Sequence, residues 1–404
     1  MNKWLKLILK GLGIFVGVLL LLIIILVVYV QLAWDRPVSR PAPQMTAPKD
    51  EETLARGEYL YKYTLICWQC HGAEGSNSPE EPQAGGLEFD LSEIGPPGGF
   101  GVVYGSNITP DPETGIGEWT DGEIVRAIRE GLDPEGHILF PIMEAEWWKG
   151  LNDEDTLALV AYMRSLEPVH NEVQENRYSF AAIMLFGLRI VNAQPATSTP
   201  VVAPPKDATA EYGEYLATHA SMCVGCHTPR DPNSGQFDLS RPFAGGLFPF
   251  PEEGFNTTGT NLTPDVATGI GNWSEEQFTI AMRTGLRPDG TVMLPFMPWP
   301  SYNRWSEDDL RAVWLYLRSL EPIDHETPAS ELTGAAATGR GVTRGEGLFD
   351  VYCIVCHGEE GSGSPFTINA LKDAASGMDD AALSGFISEG LPGLYARLRE
   401  NPGG

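Results

Sequence analysis

The chain has 404 residues, room for roughly two to four domains, and its 54 acidic against 27 basic side chains leave a net charge of −27. That balance excludes nucleic acid as a partner, because phosphate contacts need a basic surface; an acidic surface would instead steer basic partners or serve solubility alone. All six cysteines fall in three Cys-x-x-Cys pairs, so none is left for a disulfide framework.

At the N-terminus Lys3, Lys6 and Lys10 lead into an apolar run from Gly11 to Val30, with no charge until Asp35. These 20 residues, at roughly 1.5 Å each, match a hydrocarbon core of about 30 Å. The lysines place the N-terminus in the cytoplasm. A cleaved signal peptide has an apolar stretch of about 7–15 residues and a small-residue cleavage site. Val30-Gln31-Leu32-Ala33-Trp34 is a poor site of that kind, so residues 1–34 read as a retained single-pass transmembrane anchor. Either way the remainder is exported, to the periplasmic or extracellular face of a bacterial inner membrane. Without the three lysines, 24 basic and 54 acidic residues give it −30.

Residues 35–52 read as a proline-stiffened spacer. Proline-rich sequence from Gln194 to Ala210, and an Ala, Gly and Thr-rich stretch from Asp324 to Gly341, divide the exported chain. The units are 53–170, 209–324 and a short 339–404, with linkers at 171–208 and 325–338. Within the first linker, Tyr178 to Val191 is apolar but, at 14 residues, too short to span; it is expected to dock between units.

The first two units repeat one another. Asn107-Ile-Thr-Pro-Asp-Pro-Glu-Thr-Gly-Ile-Gly-Glu-Trp119 returns as Asn261-Leu-Thr-Pro-Asp-Val-Ala-Thr-Gly-Ile-Gly-Asn-Trp273, and Arg164-Ser-Leu-Glu-Pro168 as Arg318-Ser-Leu-Glu-Pro322. Thr120-x-x-Glu123 and Ser274-x-x-Gln277 are capping boxes that open helices with Ile124, Ile128, Phe278 and Met282 on their inner faces. Asn152 and Ser306 cap the final helices, whose apolar stripes include Leu159, Tyr162, Met163 and Val313, Tyr316, Leu317. A further helix precedes each cysteine pair. No useful period-2 alternation appears, so the expected fold class is all-α. The apolar content is thin for such helices, and the loops need something large to wrap around.

The cysteines supply it. Cys67-Trp-Gln-Cys70-His71, Cys223-Val-Gly-Cys226-His227 and Cys353-Ile-Val-Cys356-His357 each match the haem c attachment pattern. Two thiols on one helical turn add to the porphyrin vinyls, and the adjacent histidine is set under the iron. A structural zinc site would pair two ligand sets in one small module, whereas these sets lie 156 and 130 residues apart. A thiol–disulfide site would want a βαβ setting, which is absent. Three covalently bound haem c groups are therefore expected.

The repeat alignment sets Gly136-His-Ile-Leu-Phe-Pro-Ile-Met143 over Gly290-Thr-Val-Met-Leu-Pro-Phe-Met297, making Met143 and Met297 the expected distal ligands; core filling is the alternative. His137 is a weaker candidate, facing Thr291 in the alignment, and Met293 is displaced. After His357 the chain has no histidine and only Met378. Three readings compete there: ligation by Met378, a five-coordinate or water-bound iron, or a ligand supplied by a partner. Trp119, Trp273, Trp148 and Tyr302 are expected to pack at the haems, and Asn107 and Asn261 to fix turns.

The Asn-x-Thr-Pro-Asp…Thr-Gly-Ile-Gly-x-Trp run, followed by Pro-x-Met and a Tyr-Leu-Arg-Ser-Leu helix, resembles the three-haem cytochrome subunit of membrane-bound alcohol and gluconate dehydrogenases. The second repeat is nearest, with Phe296-Met-Pro-Trp-Pro-Ser-Tyr302. The resemblance covers most of 53–324 and, loosely, 339–404. It implies three tandem all-α cytochrome c domains that relay electrons between a dehydrogenase, a quinol-oxidising complex, an oxidase or a soluble cytochrome. Two other functions compete: a haem enzyme acting on a small substrate at an open third haem, and a structural subunit of a respiratory or photosynthetic complex.

Overall fold

A long apolar run away from water can satisfy its backbone only within itself, and in the computed structural model it forms one helix, α1 (Lys3–Ala33). None of its most apolar stretch is buried in the protein. The structure describes residues 3–332 apart from 74–77, 93, 198–199, 232–235, 247–250, 253–254, 257, 292 and 294–296. Cys353, Cys356, His357 and Met378, with the whole third unit, lie outside the described residues.

Beyond the spacer, α2 (Glu51–Tyr59) starts where the Asp50 side chain accepts from the Thr53 N–H, and runs into a π-helical turn at Leu60–Thr64. The attachment helix α3 (Trp68–His71) follows, then β1 (Glu88–Asp90) and β2 (Gly101–Tyr104). Helix α4 (Asp121–Glu130) opens on the Thr120–Glu123 capping box and stops at Gly131, left-handed at φ 66°. Helices α5 (Ala145–Trp148) and α6 (Asp153–Ser165) complete the first repeat, and Asn152 caps α6 as expected. After β3 (Arg177–Tyr178) and α7 (Phe180–Gly187) the pattern recurs. Helix α8 (Ala210–Tyr215) leads into a π turn at Leu216–Ala220 and the attachment helix α9 (Cys223–His227). Strands β4 (Pro251–Glu252) and β5 (Phe255–Asn256) precede α10 (Glu275–Thr284), whose Ser274–Gln277 box and Gly285 stop match α4. Helices α11 (Trp299–Tyr302) and α12 (Glu307–Ser319) and strand β6 (Glu331–Leu332) follow.

The fold is mostly helical, and the all-α expectation needs correcting. Two antiparallel three-stranded sheets, β1-β2-β3 and β4-β5-β6, close off loops in each repeat. Glu88 faces Tyr104 and Gly101 faces Tyr178 in one; Pro251 faces Asn256 and Phe255 faces Leu332 in the other. Strands of two to four residues carry no readable alternation.

In each repeat the first helix crosses the last at backbone distance. A β-carbon on Gly57 would meet the Ala158 carbonyl oxygen at 2.0 Å, and one on Gly213 would meet that of Ala312 at 1.9 Å. Of the predicted inner faces, Ile124, Ile128, Leu159 and Met163 in one repeat and Phe278, Met282, Val313 and Leu317 in the other are buried, while Tyr162 and Tyr316 are half-buried. One apolar core runs through both repeats.

Each repeat also caps the other. The Tyr59 hydroxyl donates to Asp309 Oδ2 (2.5 Å) and accepts from the Ser306 N–H (3.0 Å). Its counterpart Tyr215 donates to Asp155 Oδ2 (2.7 Å) and accepts from the Asn152 N–H (3.4 Å). Helix α5 lies against the π turn of the second repeat, and α11 against that of the first. Each tyrosine thus makes two bonds to the other repeat, and Trp305 adds one from its ring N–H to the Tyr63 carbonyl (2.7 Å).

Contrary to expectation, the apolar segment Tyr178–Val191 docks not between the repeats but against the exit of α1. Phe186 and Tyr178 pack on Trp34 and on Phe140.

Candidate haem-binding sites

Both attachment turns are entered through a strained residue. Ile66 (φ 52°) and Met222 (φ 61°), each directly before the first cysteine, are left-handed although neither is glycine; for β-branched Ile66 that is a true outlier. The preceding π turns are equally matched, a feature frequent at functional sites. Together they aim the next turn so that Cys67, Cys70 and His71, or Cys223, Cys226 and His227, share one helical revolution.

The histidine rings are fixed alike. His71 Nδ1 lies 2.8 Å from the Ser106 carbonyl oxygen and His227 Nδ1 lies 2.7 Å from that of Thr260. A carbonyl only accepts, so Nδ1 carries the proton and Nε2 keeps a free lone pair, as a metal-ligating imidazole requires. Burial holds both rings below the ordinary imidazole pKa, with the carbonyls acting the other way. Neutral imidazole is the ligating form.

All four described cysteines are free thiols. Burial pushes Cys67 up to about 12, Cys70 up to about 11 and Cys226 up to about 12, and raises Cys223. A disulfide-exchange site depends on a lowered thiol pKa, and none of these four is lowered, although Cys70 and Cys226 reach the surface. The donor set of two sulfurs and one pre-oriented imidazole nitrogen fits covalent haem at both turns, and the group supplies one-electron redox chemistry when bound.

The repeated signatures turn out to support the histidines. Asn107 Oδ1 accepts from the Thr109 N–H and hydroxyl, while Nδ2 donates to Thr114 Oγ1 and the Val169 carbonyl. Asn261 does the same with Thr263, Thr268 and Ile323. Each asparagine directly follows the residue whose carbonyl holds the ring. The other signature braces the same loop: Arg164 donates to the Ile116 carbonyl (2.7 Å) and Arg318 to that of Gly271 (3.0 Å). Residue type and spacing point to a turn-forming role for the asparagines but not to the link with the histidines. Their position one residue past Ser106 and Thr260 was the available signal.

Met143 closes a single 3₁₀ turn, Pro141–Met143, ahead of left-handed Glu144 (φ 54°). The Met297 carbonyl accepts the Trp299 N–H at 2.7 Å. Both methionines are half-buried against the core. The Tyr302 hydroxyl donates to the Ser221 carbonyl (2.7 Å), so the stretch after Met297 is pinned to the Cys223 turn. Trp148 and Tyr302 are buried, and Trp119 and Trp273 are half-buried on the core. His137 instead pairs with Asp133 (3.1 Å) on its own turn.

The methionine loop of the first repeat also reaches the second site. Trp147 stands edge-on to Phe237 at 4.9 Å, and its carbonyl accepts from His219 Nδ1 at 2.8 Å. Phe140, Met143, Glu144, Arg230 and Phe237 line a cleft there. Burial raises the Glu144 carboxyl to about 7, against the pull of Arg230.

The cytochrome c family model matches residues 54–167. The chain is 30% identical to the cytochrome c subunit of alcohol dehydrogenase (quinone) from Gluconobacter oxydans, over 78% of this chain and 65% of that one. It is 30% identical to the gluconate 2-dehydrogenase cytochrome c subunit of Pantoea cypripedii, over 78% and 70%. The chain belongs to the family of dehydrogenase cytochrome c subunits. It is also 30% identical to a nicotinate dehydrogenase subunit of Pseudomonas putida, over 81% of this chain but 26% of that protein. The chain thus spans about a quarter and about two thirds of these relatives' lengths. Membership of this family implies covalently bound haem c in this cytochrome c subunit.

Proposed function

We propose that this cytochrome c subunit is a membrane-anchored relay that passes single electrons through three haem c groups. Thioethers form at Cys67 and Cys70, Cys223 and Cys226, and Cys353 and Cys356. His71, His227 and His357 are the proximal ligands, Met143 and Met297 the distal ones, and Met378 the candidate at the third haem. The units are 53–170, 209–324 and 339–404, behind an anchor formed by α1, with the haems on the periplasmic face of the inner membrane. The donor is a dehydrogenase, in keeping with the relatives' names, or a quinol-oxidising complex, and the acceptor an oxidase or soluble cytochrome.

The observation that carries this reading is the twofold occurrence of one histidine geometry, Nδ1 on the carbonyl at position 106 or 260, beside two free thiols. A pyridine haemochrome assay on the purified full-length chain is expected to give three haems per polypeptide, and a lower number would remove the relay in this form. Electron paramagnetic resonance of the oxidised protein is expected to show two low-spin His/Met haems, the third signal reporting whether Met378 ligates. Potentials that let reduced dehydrogenase reduce all three haems would complete the case.

A further inference from the structure

Helix α7 and its flanks, residues 177–191, carry two charges only, Arg177 and Arg189, and much of their apolar surface faces outward. Phe180, Leu188 and Ile190 are 60%, 44% and 67% exposed, and Leu32 at the end of α1 is 83% exposed. The inner side is tightly fixed. Val30 is the one buried residue of α1, and a β-carbon on Gly187 would meet its Cγ1 at 2.4 Å. Trp34 stands edge-on to Tyr178 (5.4 Å) and Phe186 (6.2 Å).

The height of this contact follows from length. From Gly11 the helix needs about 30 Å to cross the hydrocarbon, which brings it out near Val30, where α7 is seated. Around that level lie the side chains of a membrane interface: Tyr29, Trp34 and Tyr178 as aromatic anchors, with Arg36 and Arg189 beside them. Arg36 donates to Tyr29 OH (2.7 Å) and lies 5.3 Å over its ring; left-handed Arg189 (φ 57°) turns back to donate to the Arg36 carbonyl (2.5 Å). Arg40 pairs with Glu130 (2.6 Å) and Arg177 with Glu88 (3.7 Å), which leaves Arg36 and Arg189 as the cations of this zone. Outward apolar side chains rimmed by cations are the pattern of a segment lying in the headgroup zone.

We propose that residues 178–191 form a second membrane contact, an apolar collar seated in the phospholipid leaflet where α1 emerges. Phe180, Leu188 and Ile190 enter the acyl boundary, and Arg36 and Arg189 meet lipid phosphates. Because Phe140 packs on Tyr178 and Phe186, the collar holds the Met143 loop close to the bilayer and fixes the tilt of the first repeat.

The inference rests on α1 being a retained anchor, and one experiment separates the two. Full-length protein is reconstituted in phosphatidylethanolamine–phosphatidylglycerol vesicles containing a phospholipid with an acyl-chain diazirine, photolysed, digested and mapped by mass spectrometry. Adducts are expected on α1 and on residues 178–191, densest at Phe180, Leu188 and Ile190, with none at Val202 or Leu239, which are 81% and 60% exposed elsewhere. Adducts on α1 but none on 178–191 would overturn the collar and leave the anchor standing; adducts on neither would remove both. The F180S/L188S/I190S variant is expected to lose segment labelling by about fivefold or more, with α1 labelling and haem absorbance unchanged. Undiminished labelling of the segment would also overturn it.

Discussion

At His71 and His227 a single backbone carbonyl decides which ring nitrogen is free, and an asparagine one residue further on decides where that carbonyl stands. Removing Asn261 as Ala takes the acceptor from the N–H of fully buried Thr263, at a cost of about 1–3 kcal/mol. Thermal unfolding of N261A beside wild type checks the size. The methionines can be tested at the same scale. Met143→Leu and Met297→Leu keep nearly the same volume but remove the sulfur. Each is expected to lower the potential of its own haem by an appreciable part of the ~0.8 V range that axial ligands span. Potentiometric titration decides: unmoved potentials with a small loss of stability would make these residues core filling. The asparagine turns were legible because they set one residue type at a fixed spacing in both repeats. The left-handed Ile66 and Met222 were not, since neither side chain marks positive φ; the strain is imposed by the packing around the attachment turn.

Among elements, helices were read well and strands badly, for one reason. Thr120, Asn152, Ser274 and Ser306 cap as their spacing predicts, because a cap is a local hydrogen bond. Thr120→Ala and Ser274→Ala should each cost about 1 kcal/mol and should add in the double variant, the sites being far apart. Strands such as β3, two residues long, exist only through partners distant in sequence. The apolar run at 178–191 announced burial of some kind but not its partner. The seam between α2, α6 and α8 was equally hidden. There Asp155, fully buried, is bonded by Arg56 at 2.8 Å through both oxygens, with Tyr215 and Lys206 alongside. Burial would raise its carboxyl, but the bonded guanidinium prevails and holds it below the ordinary range. A depressed carboxylate stabilises the fold above its unfolded value, about 3.9, and loses that contribution as pH falls through the folded value. Wild-type unfolding should therefore weaken below about pH 4, and Asp155→Asn should lack that part of the decline. At neutral pH the same variant leaves Arg56 buried beside a neutral amide, at about 3 kcal/mol.

For the molecule as a whole, the seam makes two repeats behave as one. Tyr59 to Asp309 and Tyr215 to Asp155 are the same bond made in opposite directions. Calorimetry should find a single transition for residues 53–324 in wild type, and two in the Y59F/Y215F/D155N variant. In the proposed relay, electron passage between the first two sites would need no docking step, with Trp147 and Phe237 already in contact across the seam. The reciprocity has a further meaning. A surface whose Tyr finds the partner's Asp while its own Asp receives the partner's Tyr is self-complementary, the signature of a twofold homodimer. The tandem chain has the geometry of such a dimer fused end to end, so either repeat, released from the other, would expose a face already shaped to bind its own copy.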